Sequence, residues 1–231
     1  MRAPEPHAPG ISSRALALLG WGALLASISV FLTLAWDVTT QAPLVLLDAR
    51  VANWLHTHGS LELTAFLYAV TQLNSTVGLV AMTLMLLGIQ ARMREWYWML
   101  SVALVVGGGM LLNLLLKHLY QRARPVFDNP WVMLTTYSFP SGHTAGATAF
   151  YGVLAAFLVT RTRDRWSRAA IVCGAALAVA LVAFSRMYLG AHYLSDVVAA
   201  AASTAAWLTL ALSLVRSRVH RKLALQAAAA N

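Results

Sequence analysis

Ser185-Arg186-Met187-Tyr188-Leu189-Gly190-Ala191-His192-Tyr193-Leu194-Ser195-Asp196 separates two apolar runs, Ala169–Ser185 and Val197–Val215, neither of which contains a charge. Each run is close to the ~17–25 residues that an α-helix needs to cross a bilayer. The stretch therefore reads as a tight turn between two membrane spans. An arginine, a histidine and an aspartate placed there are costly unless they are paired or have work to do. His192 and Asp196 are four residues apart, so on a helix they share a face. A carboxylate beside an imidazole fixes its tautomer and raises its basicity, which prepares the ring as a nucleophile or base.

The rest of the chain repeats the pattern on either side of this turn. Four more charge-free runs occur at Ala15–Trp36, Leu63–Ala91, Trp96–Leu116 and Gly142–Thr160. Of the 231 residues 59% are hydrophobic and only 11% charged, and the mean hydropathy is +0.66. A soluble domain carries ~25% charged residues. The expectation is an all-α integral membrane protein, a six-helix bundle forming one domain over 15–215. Residues 1–14, which hold three prolines, read as a disordered cytoplasmic tail, and 216–231 as a basic cytoplasmic tail. The first run is long and lacks a small-residue cleavage pattern at its end, so it reads as a retained anchor.

The net charge of +9 does not indicate nucleic acid, because the cations cluster on alternate loops. With the N-terminus inside, the cytoplasmic side holds Arg2, Arg14, Arg92, Arg94, Arg161, Arg163, Arg165, Arg168, Arg216, Arg218, Arg221 and Lys222, 12 of the 17 basic residues. This follows the positive-inside rule. Arg50, Lys117, Arg122, Arg124 and Arg186 fall on the other side, and the rule does not account for them. Cys173 is the only cysteine, which excludes an intramolecular disulfide or a thiolate metal cluster.

Between the first two spans, Pro43–His56 is too short to cross. Leu44, Leu47, Val51, Trp54 and Leu55 recur at helical spacing, with Asp48, Arg50 and Asn53 elsewhere on the wheel. This predicts a short amphipathic helix lying on the outer membrane surface. Thr71 and its polar neighbours in the second span read as interhelical hydrogen-bonders, and Gly107–Gly109 as a close helix approach or a kink. Lys117–Phe139 reads as irregular. Ser141, just before an apolar run, is an N-cap signal. His56 and His58 read as surface residues, His118 as interfacial, Arg122 and Tyr188 as substrate contacts or rim positions, and Trp36, Trp54 and Trp131 as interface anchors.

Three clusters then stand at the outer ends of the last four spans. They are Lys117 with Arg124; Ser141, Gly142 and His143 at a helix start; and Arg186 with His192 and Asp196. Three fixed cations, a hydroxyl and the amides of Ser141, Gly142 and His143 make a cradle for a phosphate, without a carboxylate cluster for a metal. His192, backed by Asp196, can attack phosphorus, and His143 can protonate the departing oxygen.

These residues also resemble a known family, the type 2 phosphatidic acid phosphatases, which are related to the vanadium haloperoxidases. Lys117-His-Leu-Tyr-Gln-Arg-Ala-Arg124-Pro125, Pro140-Ser141-Gly142-His143, and Ser185-Arg186 followed by His192 and Asp196 match its three motif pieces in order. The resemblance covers residues 40–200 and implies His192 as nucleophile, Asp196 as its orienter and His143 as acid/base. Lys117, Arg124, Ser141, Gly142 and Arg186 would bind phosphate. It implies catalysis without a metal or other cofactor, on a lipid phosphate or pyrophosphate such as undecaprenyl diphosphate, phosphatidylglycerophosphate or phosphatidic acid. The expected setting is a bacterial inner membrane with the site facing outward and both termini cytoplasmic. The alternatives are a lipid phosphotransferase, for example to lipid A, and a non-catalytic lipid transporter or binder.

Overall fold

The computed structural model describes residues 13–128, 131–132 and 134–229, with side chains described from Leu18 to Ser217. The predicted tail over 1–14 falls mostly outside these residues, as do the side chains of most of the C-terminal basic segment. Among the described residues there are nine α-helices and no strand. They are α1 Ser13–Thr40, α2 Pro43–Thr57, α3 Leu61–Leu73, α4 Thr76–Arg92, α5 Trp96–Val102, α6 Gly108–Tyr120, α7 Gly142–Arg161, α8 Arg165–Tyr188 and α9 Leu194–Ala229. A π-helical turn, Ala103–Gly107, joins α5 to α6.

Five segments are each long and apolar enough to cross a membrane: Leu18–Thr40, Trp96–Tyr120, Gly142–Arg161, Arg165–Tyr188 and Leu194–Ser217. Leu63–Ala91 is not the single helix its sequence predicts. It is α3 and α4, which pass the same test only as a pair bent by 51° at Asn74–Ser75. Ser75 starts the second half by accepting from Gly78 N at 3.3 Å. A Cβ on Gly78 would lie 2.0 Å from the Leu73 carbonyl oxygen, so only glycine permits so tight a restart. No proline marks this break; a serine cap and a glycine make it.

The small residues of α7 put it at the centre. Ala145, Gly146, Ala147 and Ala149 let neighbouring backbones approach closely. Phe150, Val153 and Phe157 continue its buried face against Leu79, Leu86, Trp98, Val102 and Val105. Trp98 meets Phe157 edge-on at 5.4 Å. α1 is the peripheral span. It packs along α9 and turns Leu18, Trp21, Leu25 and Leu32 outward, as a lipid-facing helix must.

Of the glycine triplet, Gly108 and Gly109 serve close packing. Gly108 lies under the Trp207 ring, and Gly109 faces Trp207, Ala149 and Thr204. The π turn beside them shifts the hydrogen-bond register, and Trp207 Nε1 donates to Leu104 O at 2.9 Å. An indole N–H left unpaired in an apolar bundle would cost about 2–7 kcal/mol.

The short helix α2 departs from expectation. Its inward face is Asp48, Ala52 and Leu55, while Leu46, Leu47 and Trp54 are exposed. Asp48, placed off the apolar face by sequence, is fully buried. Its partners explain this, and they belong to the site. His56 is not a free surface residue either, since it stacks on Phe127 at 4.1 Å. Tyr188 is neither rim nor substrate contact. It is buried, and its hydroxyl accepts from Ser60 N at 2.7 Å, tying the start of α3 to the end of α8.

Candidate active site

The end of α6, the segment 121–141, the start of α7 and the α8–α9 turn converge at one end of the bundle. α8 ends at Tyr188, and Gly190, with φ +71°, reverses the chain in a conformation natural to glycine. His192 N and Ala191 N both donate to Arg186 O, at 3.2 and 3.0 Å, which closes the turn. α9 then begins with Asp196 in its first turn.

His192 is 2% exposed. Its Nδ1 lies 3.4 Å from Asp196 Oδ2 and its Nε2 lies 3.1 Å from Arg124 Nη1. A guanidinium only donates, so Nε2 must accept, and the ring proton sits on Nδ1 facing the carboxylate. Burial holds His192 far below the usual imidazole range, at about 3, against the opposing pull of Asp196 and with the push of Arg124. The ring is neutral, with a lone pair on Nε2 directed to the cationic side of the site.

Asp196, fully buried, is saturated on both oxygens. Ser138 Oγ donates to Oδ2, as does Tyr193 N at 2.9 Å, and Arg122 Nη1 donates to Oδ1 at 2.7 Å. Ser138 Oγ also lies 3.5 Å from His192 Nδ1. Sequence reasoning missed Ser138, although it stands three residues before Ser141. It took Arg122 only as a rim or substrate contact. Arg122 is one of the five cations that the positive-inside rule does not account for, and Asp48 and Asp196 are the acids that hold it.

Of the predicted cations, Arg124 faces Nε2 directly. Arg124 donates to Thr136 O and Ala191 O, each at 2.6 Å, as well as to His192. Burial lowers its pKa, with Asp196 opposing. Lys117 Nζ donates to Tyr137 O at 2.6 Å. Arg186 is 2% exposed; its Nη1 donates to Thr71 Oγ1 at 2.7 Å, and its Nε has no partner among the described residues. Thr71 is thus an interhelical hydrogen-bonder, as expected, and its partner is a site cation. Lys117, Arg124, Arg186 and His192 all lie within electrostatic reach of His143.

Ser141 caps α7, accepting from Thr144 Oγ1 at 3.1 Å and keeping its own proton to donate. One expectation fails here. Ser141 N donates to Asp196 O at 3.1 Å, so that amide does not face an anion; the cradle retains the amides of Gly142 and His143. Asn113 Nδ2 holds the approach to this helix start through Pro140 O at 3.4 Å. A Cβ on Gly142 would lie 3.5 Å from Asn113 Oδ1 and 3.9 Å from Lys117 Cε.

A cavity of about 210 Å³ lined by Lys117, Gly142, His143, Asn74 and Asn113 opens beside these groups. It shares Thr76, Leu79 and Met110 with an almost wholly apolar groove of about 390 Å³. That groove runs between α4 and the α5–α6 span, past Val80, Leu84, Val102, Val106 and Gly107. Among the described residues no three His, Cys, Asp or Glu side chains are grouped to hold a metal. The donors present suit an oxyanion.

Residues 96–220 match the PAP2 superfamily. The chain belongs to the PAP2 superfamily. The matched region contains all eight predicted site residues and leaves out α1–α4, hence Asp48 and Thr71. Among relatives, phosphatidylglycerophosphatase B of Bacillus subtilis (strain 168) is 40% identical over 100 residues, 42% of this chain and 48% of that protein. Lipid A 1-phosphatase of Rhizobium johnstonii is 33% identical over 138 residues, 56% of this chain and 52% of that protein. The chain spans about half the length of these curated relatives. The crystal structure of a transmembrane PAP2 type phosphatidylglycerolphosphate phosphatase from Bacillus subtilis superposes with a TM-score of 0.75 at 26% identity, over 86% of this chain and 96% of that one. LpxE of Aquifex aeolicus shares the fold, with a TM-score of 0.58 at 22% identity, over 72% of this chain and 95% of that one.

Proposed function

We propose that this PAP2 protein hydrolyses a phosphate or pyrophosphate ester carried by a membrane lipid. The observation that carries this reading is the orientation of His192, with Nδ1 on Asp196 and Nε2 beside Arg124. In the first step Nε2 attacks phosphorus and the bond from phosphorus to the lipid oxygen breaks. The electron pair stays on that oxygen, which takes a proton from His143. In the second step His143 takes a proton from water as the water oxygen attacks phosphorus. The P–N bond breaks, and phosphate leaves with His192 restored. Lys117, Arg124, Arg186, Ser141 and the Gly142 and His143 amides offset charge on the phosphoryl oxygens in both transition states.

The apolar groove that meets the cavity at Thr76, Leu79 and Met110 supports a substrate with a hydrocarbon tail. The PAP2 relatives act, by name, on phosphatidylglycerophosphate and lipid A; phosphatidylglycerophosphate, phosphatidic acid and undecaprenyl diphosphate are the substrates proposed here. The cation distribution over the loops supports a site on the non-cytoplasmic side of a bacterial inner membrane, with both termini in the cytoplasm.

The test is phosphate release from a panel of these three lipids, with and without EDTA, by wild type and His192→Ala. Release that persists in EDTA and vanishes in the variant is expected. No release from any lipid would overturn the reading. Radiolabel passed from the lipid to a second lipid, with no free phosphate, would favour the phosphotransferase.

A further inference from the structure

Asp196 is a buried carboxylate, and the imidazole it orients is neutral, so its charge needs another counterion. The cation in contact with it is Arg122, not one of the phosphate-side cations. Arg122 Nη1 donates to Asp196 Oδ1 and to Ser195 Oγ, both at 2.7 Å, and Nη2 donates to Asp48 Oδ2 at 2.8 Å. Its guanidinium lies over the Tyr193 ring, 4.3 Å from the centroid. These acceptors occupy the fork behind Asp196, away from Nε2 of His192. Arg124, two residues on, sends its donors to the opposite side of the imidazole.

Asp48 holds the far end of this arrangement. It accepts from Ser195 N at 2.9 Å, from Ser195 Oγ and from Arg122 Nη2. Ser195 and Asp196 are consecutive in the first turn of α9, so Asp48 fixes the backbone of the turn that carries Asp196. Burial alone would lower the pKa of Arg122, yet it is raised, because Asp196 and Asp48 together outweigh burial.

We propose that Arg122 and Asp48 are positioning residues of the reaction. Asp48, on the interfacial helix α2, orients Arg122, and Arg122 orients the Asp196 carboxylate and neutralises its charge behind His192. Neither touches the phosphate. Losing Arg122 leaves Asp196 as an uncompensated buried charge with Oδ1 unheld, able to shift about its Oδ2 contacts or to take up a proton. Either change releases the Nδ1–H of His192 and with it the aim of Nε2. The effect therefore falls on the chemical step and not on lipid binding.

This inference rests on the phosphatase reading. Its test uses the full chain in lipid nanodiscs and whichever lipid phosphate of the panel above wild type hydrolyses fastest. Arg122→Gln is expected to lower kcat about 100-fold with KM within about twofold, and Arg122→Lys to recover about tenfold of that loss. Asp48→Asn is expected to lower kcat about tenfold. The Asp48→Asn/Arg122→Gln double variant is expected to be no slower than Arg122→Gln alone, because the two act in series. Where Arg122→Gln does not fold, Arg122→Lys and Asp48→Asn carry the same test, with the loss again in kcat. Variant kcat within about threefold of wild type overturns the inference. So does a raised KM at unchanged kcat, which would make Arg122 a phosphate contact. An inactive wild type overturns the phosphatase reading and this inference with it; an active wild type beside active variants overturns this inference alone.

Discussion

Arg124 Nη1 lies 3.1 Å from His192 Nε2, so the nitrogen facing the cations is the one that lacks the ring proton. An oxyanion entering here competes with that contact and with the carbonyls Arg124 holds. Vanadate, a trigonal-bipyramidal mimic of the transferring phosphoryl group, is expected to inhibit phosphate release. Arg124→Lys keeps the charge and loses the fork. It is expected to weaken vanadate inhibition about 10- to 100-fold and to lower kcat/KM by a similar factor. Unchanged vanadate inhibition in this variant would remove Arg124 from the phosphate-binding set.

The protonation of His192 gives a stability prediction. Its pKa falls from 6.5 to about 3 in the folded protein, chiefly through burial. The unfolded chain therefore takes up the proton first as pH drops. The associated stability is complete above about pH 6.5 and is lost progressively as pH falls toward the folded value. In His192→Gln the fall in Tm between about pH 6.5 and about pH 4 is expected to be shallower than in wild type. Equal slopes would show that the ring is not held neutral.

Ser138→Ala removes a donor to Asp196 Oδ2 and a hydroxyl near His192 Nδ1. A buried carboxylate that loses such a bond forfeits about 1.5–3 kcal/mol of support. The expected result in steady-state assays is kcat down about tenfold with KM held. A rise in KM alone would place the Ser138 hydroxyl on the substrate.

Thr71→Val keeps the shape of the side chain and deletes the acceptor of Arg186 Nη1. Arg186 Nε already lacks a partner, so a second donor is left buried, at a cost of about 1–3 kcal/mol. Tm is expected to fall by several degrees and to be partly restored by saturating vanadate, whose oxygens can accept from the freed donor. A Tm deficit that vanadate leaves untouched would separate Arg186 from the anion.

Gly107 lines the apolar groove, and a Cβ there meets nothing within 4 Å. Gly107→Leu is expected to fold and to slow long-chain lipid phosphates more than short-chain ones. Gly174→Leu, also without neighbours within 4 Å, serves as the control. Equal turnover of both chain lengths in Gly107→Leu would exclude the groove as the tail path.

The spans were legible because a bilayer imposes a length, and a charge-free run of that length has few other readings. The bend at Asn74–Ser75 was not, because polar residues without proline are also the usual means by which one span binds another. The eight candidate residues stand out because their chemistry is concentrated in three short motifs, which the fold brings to one end of the bundle. Asp48, Arg122 and Ser138 were not assigned their places because their role lies in partner choice. Asp48 and Ser195 are 147 residues apart in sequence, and no local pattern reports that they meet. The Ser141 amide was misread for a similar reason: a helix start normally offers that donor to an anion, and here the Asp196 carbonyl takes it.

The bend between α3 and α4 divides one apolar stretch into two jobs. α3 is fastened to the end of α8 through Thr71 to Arg186 and through Ser60 to Tyr188. α4 forms one wall of the apolar groove. On the proposed reading, differences in chain length or branching between lipids are met by α4, while α3 keeps the Arg186 guanidinium in register with the phosphate. Tail tolerance and headgroup chemistry can diverge independently in such a protein, because one restart of a helix keeps them mechanically apart.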